Sequence, residues 1–64
     1  MLIKPTRDDL RRFSTLAKAC YKAGRNDAGY DFEIASLRCI FEVSEYEELT
    51  HTYQQWRETG TLPN

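Results

Sequence analysis

The chain has 64 residues, enough for one domain. A domain this small buries only ~60% of the surface its unfolded form exposes, so its core is marginal without a partner subunit, metal or disulfide. At 41% hydrophobic and 30% charged, with a net charge of −1, it is too apolar for a disordered tail, too charged for a membrane span, and lacks the basic excess common in domains that bind DNA alone.

The net charge hides an asymmetry. Met1 to Gly29 carries Lys4, Arg7, Arg11, Arg12, Lys18, Lys22 and Arg25 against Asp8, Asp9 and Asp27, whereas Tyr30 to Asn64 carries Arg38 and Arg57 against Asp31, Glu33, Glu42, Glu45, Glu47, Glu48 and Glu58. Halves of opposite sign attract each other, within or between chains, or one half meets a charged partner. The opening residues MLIKPTRDD turn polar too soon for a secretory signal, so a cytoplasmic protein with no membrane association is expected.

The first helix is expected over residues 6–23. Thr6 and Asp9 form a short-armed capping box, Asp8 and Asp9 suit the positive end of the helix dipole, and Lys18 and Lys22 suit the negative end. Gly24 stops it. Leu10, Phe13, Leu16, Ala17, Cys20 and Tyr21 share one face, while Arg11, Lys18 and Lys22 align on another. Such a basic ridge is usually a solvated face, and these three are also the candidate nucleic-acid contacts. Arg25-Asn26-Asp27-Ala28-Gly29 has turn chemistry and reads as the connection.

The second helix is expected over residues 30–43. Tyr30, Ile34, Leu37 and Phe41 form one apolar stripe; Phe32, Ala35, Cys39 and Val43 form another on nearly the opposite side. A helix with two apolar faces needs cover on both, and the first helix covers one. The second stripe is therefore the candidate interface of a homo-oligomer, with a dimer as the expected state.

The third helix is expected over residues 44–59. Ser44 and Glu47 read as an S-x-x-E capping box, and Tyr46, Leu49, Tyr53 and Trp56 recur at i, i+3, i+7, i+10. Gly60 and Pro63 end it. A rival reading joins Phe32, Ala35, Cys39, Glu42, Tyr46, Leu49, Tyr53 and Trp56 into a heptad series, making one long helix from about Asp31 to Thr59 and a two-helix hairpin that dimerises into a four-helix bundle. Both readings are all-α; the cap and the change of phase favour three helices.

Candidate chemistry is sparse. Cys20 and Cys39 belong to no CxxC pair and read as small buried thiols kept reduced, and with His51 they do not make up the four ligands of a structural zinc site. No metal, cofactor or catalytic residue is expected. Ser14, Ser36 and Ser44 have no readable base or oxyanion loop, and Glu45, Glu47 and Glu48 are explained by the helix dipole. His51 follows Glu47 by four residues and reads as a surface pair. Glu33-Ile34-Ala35 through Val43-Ser44 has a helix-turn-helix flavour, but the spacing is wrong, Glu42 occupies the position where glycine is usual, and the entering helix would carry three carboxylates toward phosphate. Tyr46, Tyr53 and Trp56 are core packing on the plainer reading. On the functional one they are a partner-binding face rimmed by Glu45 and Glu48, suited to a basic surface.

In length and helical pattern the chain resembles the small accessory proteins of temperate bacteriophages and plasmids, and no residue roles carry over from that likeness. The resemblance implies a non-enzymatic regulator that modulates a host or phage protein by association. The alternative is a DNA-binding transcriptional regulator that uses the basic first helix.

Overall fold

A computed structural model describes residues 1–64 as three helices, which make up 67% of the chain, and a small two-stranded sheet. The order is β1 (Leu2–Ile3), α1 (Arg7–Lys22), α2 (Asn26–Ala35), β2 (Phe41–Glu42) and α3 (Val43–Thr59). The purely helical expectation misses the sheet, and the two-helix hairpin is overturned, because residues 36–42 are not helical.

Both ends of α1 form as its sequence dictates. The Asp9 N–H donates to Thr6 Oγ1 at 3.1 Å and the Thr6 N–H donates to Asp9 Oδ2 at 3.0 Å, so both arms of the capping box are made. At the other end Gly24 has φ +81°. Its N–H reaches the Tyr21 carbonyl at 3.0 Å and the Arg25 N–H reaches Cys20 at 2.8 Å. This pair of bonds is a Schellman motif, which needs a left-handed residue where the glycine sits.

Only Ala23, Gly24 and Arg25 separate α1 from α2, so the two helices form a tight helical hairpin. The expected connection through Gly29 is corrected here: α2 begins at Asn26, and Gly29 lies inside it. The reason is proximity. A Cβ on Gly29 would lie 3.0 Å from two ring carbons of Tyr21, so glycine lets that ring lie against the α2 backbone.

The earlier start shifts the face that α2 turns inward. Ala28, Phe32 and Ala35, at i, i+4 and i+7, are buried against Phe13, Leu16, Ala17 and Cys20 of α1. Phe41 completes this core from β2. The Phe13 ring lies 6.1 Å from Phe32 and 5.9 Å from Phe41, the latter edge-on, in the range where aromatic pairs add to simple burial.

The chain leaves α2 at Ser36, turns through Leu37 with the Leu37 and Arg38 N–H groups donating to the Ile34 and Ala35 carbonyls, bends at Cys39 and enters β2 at Phe41. Leu2 then pairs with Glu42, and Ile3 with Phe41, antiparallel. The Val43 N–H, an unpaired donor in the first turn of α3, donates to the Met1 carbonyl at 3.1 Å. The N-terminal segment thus supplies the cap that a side chain would otherwise provide. The residue preceding α3 is Glu42, with no side-chain cap bond, and Ser44 lies inside the helix. The S-x-x-E capping box is therefore not formed, although the break it pointed to is real. At its far end α3 stops at Gly60, φ +76°, as expected.

Candidate interaction surface

The aromatic stripe of α3 faces the body of its own chain. Tyr46, Leu49, Tyr53 and Trp56 are half-buried against the core, which supports the packing reading for Tyr46, Tyr53 and Trp56. Tyr46 is fixed most firmly: its hydroxyl donates to Asp9 Oδ2 at 2.9 Å. Asp9, only 5% exposed, also lies 3.8 Å from the Arg12 guanidinium. Burial by itself would raise the Asp9 pKa. Hydrogen bonds from the Thr6 backbone, the Tyr46 hydroxyl and the Thr6 side chain, with Arg12 nearby, outweigh it and hold the carboxyl below its ordinary 3.8. The same bond to Asp9, helped by burial, pushes the Tyr46 phenol up. No local sequence signal announces a pairing 37 residues apart.

The expected oligomer face is dispersed. Phe32 and Ala35 are buried in the core of a single chain, Cys39 is exposed in the loop, and Val43 is half-buried at the start of α3. These four residues form no common surface. The opposite stripe is the open one: Tyr30 is 58% exposed, Ile34 42% and Leu37 78%. Only the first half of each expected stripe lies on α2: Phe32 and Ala35 face inward and Tyr30 and Ile34 outward, whereas Leu37, Cys39, Phe41 and Val43 lie beyond its end and Phe41 is buried in the core.

The expected pair of buried thiols is half right. Cys20 is fully buried, and burial raises its pKa against the lowering influence of Arg25; Cys39 is exposed, and the two are not bonded. His51 is exposed and forms no ion pair with Glu47. Arg11, Lys18 and Lys22 all lie exposed along α1, with Arg11 3.9 Å from Asp8.

Beside the open stripe, α2 and α3 flank a groove of about 390 Å³. Phe32, Ala35 and Leu49 line it, and Ile34 joins it to the open stripe. Arg38 and Glu45 lie along it, joined at 2.6 Å, with the Arg38 guanidinium 4.5 Å from the centre of the Phe41 ring. Pro63 and Asn64 of the C-terminal segment line the groove too, and a hydrogen bond from Arg25 to Asn64 ties that segment down. Asp31 of α2 and Glu48 of α3 also line it, both exposed and neither carboxylate bonded within the chain.

Neither family models nor curated proteins nor solved structures give a match to this chain. The site therefore has to be read from its own chemistry. No cluster of three His, Cys, Asp or Glu side chains is placed to hold a metal ion, and no helix is long and apolar enough to cross a membrane. What the surface does offer is an apolar stripe, a groove that continues it, and carboxylates along that groove. Glu45 and Glu48, expected to rim the aromatic face of α3, instead line this groove with α2.

Proposed function

We propose that this chain is a small non-enzymatic regulator, of the kind carried by phages and plasmids, that acts by binding another protein and self-associates as a dimer. The observation that carries the reading is the open stripe Tyr30, Ile34 and Leu37. Single exposed apolar side chains are ordinary, but Tyr30 and Ile34 on one face of α2, with Leu37 in the turn just past its end and a groove alongside, make a patch of the kind that marks association sites. Truncating such a patch costs affinity without disturbing a fold to which it contributes little packing.

The test compares the wild type with a Tyr30→Asp/Leu37→Asp variant as bait in lysate of the native host. A protein retained by the wild type and lost by the equally folded variant is the expected result; no specific capture by the wild type refutes the reading. Sedimentation equilibrium at micromolar concentration checks self-association, and a monomer throughout would remove that part.

A second reading, DNA binding through α1, has its own observation. Arg11, Lys18 and Lys22 are solvent-exposed, and Arg12 shares with Arg57 a cleft of about 380 Å³ between α1 and α3 that no carboxylate lines. A gel shift with duplex DNA near physiological salt separates the readings. Salt-dependent binding that collapses when Arg11, Lys18 and Lys22 become alanine favours DNA.

A further inference from the structure

From the shape and charge of the groove between α2 and α3 we infer that its occupant is a basic amphipathic helix of a partner protein. This rests on the association reading above and names the chemistry of the partner.

Three observations lead there. The first is shape: two helices that flank an apolar floor leave the position that a third helix fills in a bundle, and laying an apolar helix face into such a groove is a recurrent mode of recognition. Ten residues of α2, at ~1.5 Å per residue, give a wall of about 15 Å, which suits a docking helix of two to three turns. The second is the floor. Phe32, Ala35 and Leu49 give apolar anchors a surface to cover, and Ile34 extends it to the exposed stripe, so the docked face and the patch at Tyr30 and Leu37 are continuous.

The third is charge. Asp31 and Glu48 stand on opposite helices of the groove, exposed and without partners, while Glu45 is already matched by Arg38. Unmatched carboxylates on both walls select lysine or arginine flanking the anchors and repel an acidic helix. The basic helix of a second copy does not fill this groove: α1 turns Phe13, Leu16, Ala17 and Cys20 into its own core, and Tyr21, its exposed aromatic, is held against α2 by its contact with Gly29 and its bond to Glu33.

The probe is a synthetic Lys/Leu amphipathic helix of about 14 residues, three to four turns, set against a Glu/Leu peptide with the same apolar face. Both are titrated near physiological salt by calorimetry, with backbone amide shifts recorded by NMR. The expected result is binding of the Lys/Leu peptide alone, with shifts concentrated at Asp31, Ala35, Leu49 and Thr52, a gain of peptide helicity, and affinity about tenfold weaker for Asp31→Lys/Glu48→Lys. Both substituted residues are exposed, so an unchanged melting curve shows that the variant is folded. Equal binding of the two peptides, shifts centred on another surface, no binding of either, or indifference to the charge reversal overturns the inference. The lysate experiment keeps its failure apart from that of the broader reading. A partner retained by Asp31→Lys/Glu48→Lys but lost by Tyr30→Asp/Leu37→Asp removes the groove and leaves association through α2 standing.

Discussion

Tyr46→Phe isolates one hydrogen bond with little else disturbed. The ring stays, and with it the packing against Phe41 at 6.3 Å; only the hydroxyl that donates to Asp9 at 2.9 Å is lost. A hydrogen bond to a charged group contributes about 1.5–3 kcal/mol net, and Asp9 is too buried for water to replace the lost donor freely. The Thr6 N–H at 3.0 Å remains, so the carboxylate is not orphaned, and a loss near the middle of that range, about 2 kcal/mol, is expected. In a domain of this size that lowers the melting temperature by on the order of 10 °C. Calorimetry or urea melts at neutral pH measure it. The pH dependence gives a second check. Asp9 titrates below its ordinary value when folded, so its contribution is present above pH 3.8 and lost as pH falls through the lower folded value. Tyr46 titrates above 10 when folded, so its contribution is present below pH 10 and lost as pH rises through the raised value. The gap between wild type and Tyr46→Phe therefore narrows at both extremes. A variant within about 0.5 kcal/mol of wild type at neutral pH, the ordinary scatter of surface substitutions, would refute the placement of α3 on α1.

Three further substitutions probe other parts of the fold. Alanine is the better helix former than glycine by about 1 kcal/mol, yet Gly29→Ala is expected to destabilise, because its Cβ meets the Tyr21 ring at 3.0 Å; in a Tyr21→Ala background the same change is expected to stabilise, and urea melts showing a gain in both backgrounds would remove the close approach. Ser44→Ala is expected to be neutral or to stabilise by a few tenths of a kcal/mol, since Ser44 caps nothing; a loss of about 1 kcal/mol, the usual cost of a lost N-cap, would restore the capping box. One thiol, Cys39, is expected to react with Ellman's reagent in the native protein and both in denaturant, and two native thiols would contradict the burial of Cys20.

How much of this was legible in the sequence depends on whether the signal was local. Thr6, Asp9, Gly24 and Gly60 act within a turn of the helix end they control, and all four do what their spacing implies. Ser44 has the same local signature, but an acceptor, the Met1 carbonyl, reaches the first turn of α3 from the other end of the chain. Gly29 misled for a similar reason: glycine beside Asn and Asp reads as a turn, and its use as a landing for Tyr21 depends on a helix it had not yet met. The candidate surface inherits that error. Once Ala28 joins α2, the inward set becomes Ala28, Phe32 and Ala35, and the outward set Tyr30, Ile34 and Leu37 follows.

The clasp between the two ends of the sheet has a consequence for how the molecule assembles. Contacts between α1 and α2 span a three-residue turn and can form early, whereas pairing Ile3 with Phe41 closes everything between them into one loop. The entropy of that closure is lost before α3 gains its start from Met1. The helical hairpin is thus the natural nucleus and the clasp a late event. Substitutions that weaken Leu2–Ile3 should leave the refolding rate nearly unchanged in stopped-flow traces and quicken unfolding, so the lifetime of the native state, more than the speed of reaching it, is set by its first three residues.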